Sequence, residues 1–379
     1  MIFLDNAATT QGSPHIERVI VDAMNVYGNP SSLHSSGTNS SKIIDRARHT
    51  IAGYIGADDN EVYFTSSGSE ANNMALKGFY FAEYNKPTTI ITTPIEHKSV
   101  LKSCVFLQNI GCNVKYVSVD KYGFINLKEL EALWQINTAI GNRILVSVQF
   151  ANNEIGTIQH IKEIGEVVHR YNGVFHTDAV QAFPEIKIDV NKHGIDMMSV
   201  SGHKFGCPKG IGFLYKRSGV SIESLIHGGS QEFGLRAGTE NIPYIAGLNR
   251  AIEALSEYDV QKVKEMRDYM IENLLRIGDC VINGSMTDRL ANNISISFKG
   301  IDAEALLLLL DTKGICISSG SACNSHINEP SYVLKAIGVD EDYIYGTIRI
   351  SLSENITYTE IDTAVEEIKN YINALRLFK

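Results

Sequence analysis

Between residues 40 and 56, apolar positions return every three or four residues through SSKIIDRARHTIAGYIG and stop at a glycine. That pattern predicts an amphipathic helix with a glycine stop at its carboxyl end. Shorter runs have another rhythm. EVYFTS (61–66), TTIITT (88–93), NVKYVSV (113–119), RILVSVQF (143–150) and VFHTDA (174–179) are dense in β-branched and aromatic residues and read as strands. Helical stretches separate them: one near 69–84, one from about His97, then NLKELEALW and IKEIGEVVHRYN. Such alternation predicts an α/β fold with a mainly parallel sheet covered by helices on both faces.

After about residue 255 the texture changes. Long amphipathic helices near 259–276 and 357–378 flank the short strands INGS, NISISF and TIRISLS. The expected organisation is a large α/β domain over 15–255, with 1–14 and 256–379 forming a smaller α+β domain. There is no internal repeat or low-complexity tract.

Composition narrows the function classes. With 379 residues, 44% of them hydrophobic, the chain has ample material for a large core. Its 34 basic and 43 acidic residues leave a net charge of -9, which is no footprint for nucleic acid or an anionic membrane. The start, MIFLDNAATT, lacks the basic and apolar regions of a signal peptide, and ALLLLL at 305–310 is too short to span a bilayer. The six cysteines (104, 112, 207, 280, 316 and 323) form no CxxC pair or staple pattern, so a reducing, cytoplasmic setting is expected. Neither a metal-ligand cluster, a GxGxxG turn nor a P-loop is present.

In an open α/β sheet, ligands bind beyond the carboxyl ends of the strands, so the residues leaving each strand carry the chemistry. EVYFTS runs into Ser67-Gly68-Ser69-Glu70, which reads equally as a phosphate cradle at a helix start or as an ordinary serine cap. TTIITT leads to His97, and RILVSVQF to Asn152, Asn153 and Glu154. VFHTDA ends at Asp178, followed by Gln181; that carboxylate is either a cap or the partner of a protonated ring nitrogen. MMSVSGHKFGCPKG brings Ser201, His203 and Lys204 into a glycine-rich turn, where a desolvated lysine makes a good Schiff-base nucleophile. Together these features form a pyridoxal 5'-phosphate (PLP) site: a phosphate turn, an aromatic ring, an acid for the ring nitrogen and a lysine one strand later.

The motifs YGNPSSLH, FTSSGSEANN, EHKSV, NNEIG, HTDAVQ, SGHKFGCPKGIG, GLRAGTEN, SSGSAC and EPSYVLKAIG extend this along nearly the whole chain. The sequence resembles the cysteine desulfurases of the NifS/IscS group, PLP enzymes of fold-type I in the aminotransferase class V superfamily. The resemblance implies a seven-stranded-type sheet in the large domain and a catalytic cysteine loop on the small one. It implies that Lys204 holds the cofactor, Asp178 pairs with its ring nitrogen, Gln181 bonds its hydroxyl, and His97 stacks on the ring and moves protons. Gly68, Ser69, Ser201 and His203 would hold the phosphate, joined by Thr239 of a second subunit in a homodimer. Asn153 and Arg349 would orient the substrate, L-cysteine.

By the same resemblance, Cys323 accepts the sulfur as a persulfide and leaves alanine, and the polar segment 318–325 carries it outward. Only a thiolate does this work, so Cys323 is expected to be accessible and near a cation. The acceptor would serve iron–sulfur cluster assembly or thiolation of tRNA or another cofactor. The other five cysteines are expected to be structural. The rival readings are a selenocysteine lyase, a plain aminotransferase, and a non-catalytic paralogue that binds a partner. Neither a membrane nor nucleic acid is an expected partner.

Overall fold

The computed structural model describes residues 1–138, 142–319 and 330–377. In chain order the strands are β1 (Ile2–Phe3), β2 (Val62–Thr65), β3 (Thr88–Thr92), β4 (Asn113–Tyr116), β5 (Arg143–Ser147), β6 (Val174–Asp178), β7 (Met197–Ser201), β8 (Gly212–Lys216), β9 (Cys280–Ile282), β10 (Asn293–Phe298), β11 (Ile315–Cys316) and β12 (Thr347–Ser351). The helices are α1 (Pro14–Met24), α2 (Ser35–Ile55), α3 (Gly68–Ala82), α4 (Lys98–Asn109), α5 (Leu127–Thr138), α6 (Ile161–Arg170), α7 (Ile242–Ala254), α8 (Val260–Leu275), α9 (Ala303–Asp311), α10 (Tyr332–Ala336), α11 (Glu341–Ile344) and α12 (Tyr358–Leu377).

Strands β2 to β8 form one seven-stranded sheet in the order β2-β8-β7-β6-β5-β3-β4. All run parallel except β8, which is antiparallel to both β2 and β7. The carboxyl ends of β2, β3, β5, β6 and β7 therefore share one edge, where the candidate side chains leave the sheet. Alternation along the strands feeds two cores. Phe64, Ile91, Val146 and Met198 point to the face covered by α2, α6 and α7, whereas Tyr63, Ile90, Leu145 and Met197 pack under α3 and α4. Helices on both faces follow from this two-sided burial.

Helix α2 illustrates the local logic. Ile44, Ala47, Ile51 and Ile55 recur on one face and are buried, each isoleucine contributing about 1.5–3 kcal/mol. Gly56 ends the helix at φ +72°, the left-handed conformation its missing side chain permits. The helix starts earlier than the expected residue 40, at Ser35, because the His34 ring accepts a hydrogen bond from Gly37 N.

A second core lies around the antiparallel sheet β12-β10-β9, lined by Val263, Met270, Ile296, Leu306, Ile350 and Ile368 among others. Chain residues near the amino terminus join it: β1 pairs with β11, and Asp5 bridges to Ser351. The expected strand over INGS is displaced to Cys280–Ile282, since the chain turns at Gly284 with φ +81°. Helices α1, α7 and α9 and the short β1–β11 pair were not anticipated. Bonds that run between the two parts include Ile158 N to Asp288 O at 2.8 Å and Ala291 N to Glu185 Oε2 at 2.6 Å. Among the described residues, no helix is long and apolar enough to cross a membrane.

Candidate active site

A cavity of about 320 Å³ opens at the carboxyl edge of the large sheet. Gly68, Ser69, His97, Asn153, Asp178, Gln181, Ser201, His203, Lys204 and Arg349 all line it. Nine of them leave five strands of the parallel sheet, β2, β3, β5, β6 and β7, at their carboxyl ends, and Arg349 comes from within β12 of the other sheet. Thr239 lies outside the cavity and is exposed. Cys323 lies outside the described residues.

Lys204 follows β7 in a short turn, and its amine points into the cavity. Its Nζ donates to the carbonyl oxygens of Ala7 at 2.7 Å and Ala8 at 2.9 Å. The amino-terminal segment also grips the turn from outside: Thr10 Oγ1 donates to Lys204 O at 2.9 Å, and Thr10 N to His203 O at 2.9 Å. Gln181 Nε2 reaches the same Ala7 carbonyl at 3.0 Å. Burial, then the charges of Lys204 and Lys209, press the His203 imidazole down to about 4, so it is neutral near pH 7.

Asp178 ends β6 with its carboxylate buried. Oδ1 accepts from Val180 N at 3.0 Å and Oδ2 from Asn72 Nδ2 at 2.7 Å. His97 caps α4, its Nδ1 accepting from Ser99 N at 3.2 Å. Burial lowers the His97 pKa, with Lys204 and Lys98 acting in the same direction and Asp178 against them. At the start of α3 the cap reading of the serine turn is realised. Ser67 Oγ accepts from Glu70 N at 3.2 Å as an ordinary cap, while Gly68 and Ser69 precede the first intrahelical bond, Ala71 N to Ser67 O. Their N–H groups sit at the positive end of the helix dipole, beside Ser201 and His203.

On the opposite wall Arg349 is 5% exposed. Its Nη1 donates to Asn153 O at 3.0 Å and its Nη2 to Asp5 Oδ1 at 2.9 Å. Among the described residues its Nε is buried without a partner. A desolvated guanidinium with a spare donor is a seat for a carboxylate. Glu154, beside it, is pushed up to about 7 by burial and accepts from Ser331 Oγ at 2.5 Å. Ser318, on the other side of the segment carrying Cys323, exchanges backbone bonds with Arg349.

Several lining residues escaped sequence reasoning. Ala7 and Ala8 work through backbone carbonyls, which no residue type advertises. Asn72 did leave a signal: it is an amide on the buried face of α3, between Ala71 and Met74. Of the five described cysteines, Cys104, Cys112 and Cys207 are buried in apolar surroundings that push their thiols up, to about 12 for the first two, so they hold no thiolate near pH 7.

The sequence profile of the aminotransferase class-V family matches residues 2–363. The chain belongs to that family. Among its relatives, "Cysteine desulfurase IscS" of Methanosarcina thermophila is 46% identical over 99% of this chain and 93% of its own length. "Cysteine desulfurase" of Nostoc sp. is 43% identical over 99% of this chain and 94% of its own. A solved structure described as "NIFS-LIKE PROTEIN" superposes with a TM-score of 0.91 at 37% identity, covering 99% of this chain and 100% of that one. Another, "SspA in complex with cysteine", gives a TM-score of 0.83 at 35% identity over 94% of this chain and 100% of that one.

As a class-V aminotransferase fold, the protein is PLP-dependent, and its residues fit that cofactor. A Cβ added at Gly68 would stand 2.6 Å from Val180 Cγ2 and 3.3 Å from Ser201 Cβ, so the missing side chain lets the start of α3 come close to Ser201, where these residues would hold a phosphate. A buried carboxylate at Asp178 suits a protonated ring nitrogen, and the Lys204 amine lies in the same cavity.

Proposed function

We infer that the protein is a PLP-dependent cysteine desulfurase, which converts L-cysteine to L-alanine and passes the sulfur to Cys323. The observation that carries this reading is the meeting of the Lys204 amine, the Asp178 carboxylate and the Arg349 guanidinium on one cavity. When bound, PLP supplies an electron-withdrawing ring that acidifies the substrate's Cα–H and loosens its C–S bond.

The protein's own groups supply the rest. Lys204 would hold the cofactor through Nζ, and its amine would take and return protons at the substrate Cα. Asp178 would hold the ring nitrogen protonated, Gln181 would bond the ring hydroxyl, and His97 would cover the ring and move protons. Gly68, Ser69, Ser201 and His203 would hold the phosphate. Arg349 grips the substrate carboxylate and Asn153 orients it. In the sulfur step the Cys323 thiolate attacks the substrate sulfur: an S–S bond forms, the C–S bond breaks, and the carbon takes up a proton. Net, one enzyme thiol and one L-cysteine give a persulfide and L-alanine, with no outside oxidant. Ser318 bonds the lining residue Arg349 and Ser331 the lining residue Glu154, so both flanks of the Cys323 segment lie next to the cavity, which supports this assignment.

The protein works as a homodimer in this reading, with Thr239 completing the phosphate site of the second subunit. Exposed Thr239, together with Tyr27 at 91% and Leu33 at 100% exposure, supports such a contact. The small domain, 1–14 with 256–379, carries the cysteine segment, and the large domain, 15–255, carries the cofactor. A sulfur-accepting protein takes the persulfide.

Purified protein incubated with PLP, L-cysteine and dithiothreitol tests this directly. Alanine and sulfide should form in equal amounts. Cys323→Ser should abolish sulfur transfer while keeping the visible absorption of bound PLP, and Lys204→Ala should remove that absorption. PLP binding without alanine overturns the desulfurase reading and turns the search to selenocysteine as substrate.

A further inference from the structure

Asn72 sits between two groups given catalytic roles above, and nothing in those roles accounts for it. Its amide is 1% exposed. One Nδ2 hydrogen goes to Asp178 Oδ2 at 2.7 Å and the other to Ser99 Oγ at 2.8 Å. This orientation puts both amide hydrogens on oxygen acceptors, whereas the flipped one would set Oδ1 against the Asp178 oxygen. The consequence is costly: Asn72 Oδ1 is buried without a partner among the described residues. An orphaned buried acceptor is unfavourable, so the fold tolerates a loss to keep the nitrogen facing Asp178.

Ser99 continues the chain. Its Oγ lies 2.8 Å from His97 Nδ1, and its backbone N–H donates to the same nitrogen at 3.2 Å. A backbone N–H can only donate, so Nδ1 must present its lone pair and the ring proton must sit on Nε2. The Oγ accepts from Asn72 and has its own hydrogen left for Nδ1, which agrees with the same tautomer.

We propose that Asn72 and Ser99 are positioning residues that hold His97 as the Nε2–H tautomer and couple it to the Asp178 carboxylate. His97 therefore enters the reaction as a proton donor through Nε2, and the same amide donates to Asp178 Oδ2. The charged groups facing the ring are Asp178, Lys204 and Lys98, and its lowered pKa keeps it neutral near pH 7, where the tautomer has meaning. The catalytic consequence rests on the desulfurase reading. The tautomer does not.

Long-range ¹H–¹⁵N spectra of the apoprotein, with the His97 signal assigned by its loss in His97→Gln, read the tautomer directly. Wild-type protein should show an unprotonated Nδ1 and a protonated Nε2. Asn72→Ala and Ser99→Ala should each raise the Nδ1–H population about fivefold to tenfold, as loss of one net hydrogen bond implies. Asn72→Asp, which adds a negative charge, should instead raise the His97 pKa. Ser99→Ala leaves the backbone bond intact, so the test survives if Asn72 variants fold poorly. A protonated Nδ1 in wild type overturns the proposal, and so does an unchanged tautomer ratio in Ser99→Ala. Because no substrate is present, failure here leaves the alanine and sulfide assay untouched, and failure there leaves the tautomer standing.

Discussion

Arg349 Nη2 donates to Asp5 Oδ1 at 2.9 Å, tying β12 to the amino-terminal segment across 344 positions of sequence. With Nη1 on the Asn153 carbonyl, the guanidinium is fixed on two sides before any substrate arrives. Such fixing lowers the ordering cost of gripping a carboxylate. Asp5→Asn removes the charge and keeps the shape, so KM for L-cysteine should rise about threefold to tenfold, roughly 1 kcal/mol of lost orientation. Steady-state kinetics with unchanged PLP absorption check it.

Gly68→Ala tests the cradle. The added methyl would meet Val180 Cγ2 at 2.6 Å and crowd Ser201. Overpacking of this kind costs about 1–3 kcal/mol, so PLP affinity should fall at least tenfold with little change in the far-ultraviolet spectrum. Equilibrium dialysis of PLP against the variant is the measurement.

Glu185 gives a pH signature away from the cavity. Burial raises its pKa from 4.5 to about 7, against the bonds it accepts from Ala291 N and Asn292 N. The folded state thus keeps a proton that the unfolded chain releases near 4.5. Stability from this group is full below that value and declines as pH rises through about 7. Glu185→Gln should flatten the decline by at most about 1.4 kcal/mol per pH unit within the window. Denaturant melts of both apoproteins at matched pH give the difference, and other titrating groups cancel.

Glu232 and Arg48 form a two-bond ion pair, each contact 3.0 Å, with side-chain exposures of 3% and 8%. Glu232 also accepts from Phe64 N at 2.8 Å and anchors the loop leading to Thr239. Its backbone is held at φ +45°, and that of Phe233 at +54°. Glu232→Ala leaves Arg48 buried and unpaired, a loss of about 3–5 kcal/mol. A lowered Tm is expected, together with weaker PLP binding if the loop serves a second subunit's phosphate site.

Much of the large sheet was legible because buried strands are short apolar runs with a two-residue alternation. Strand ends overran where the apolar run outlasted the strand: of NVKYVSV, only Asn113 to Tyr116 form β4. Asp178, Lys204 and His97 were legible as polar residues at strand exits, the edge of the sheet where side chains can meet a ligand. Thr10, Ala7 and Ala8 were not, since their hold on the Lys204 turn runs through main-chain oxygens and one hydroxyl 194 residues away. Asn72 was recognisable as a buried amide, but its partners lie on β6 and α4 and no local pattern names them.

Local order belongs to the chain itself. Apolar spacing, a glycine at the end of α2 and the residue types that follow each strand are properties of neighbouring positions, and they determined which segments fold and which side chains face the sheet edge. The tertiary structure alone decided which strand lies beside which, that β8 runs backwards between β2 and β7, and that Asp5 reaches Arg349. Those choices depend on burial summed over two cores and on bonds between residues hundreds of positions apart, which no window along the sequence contains.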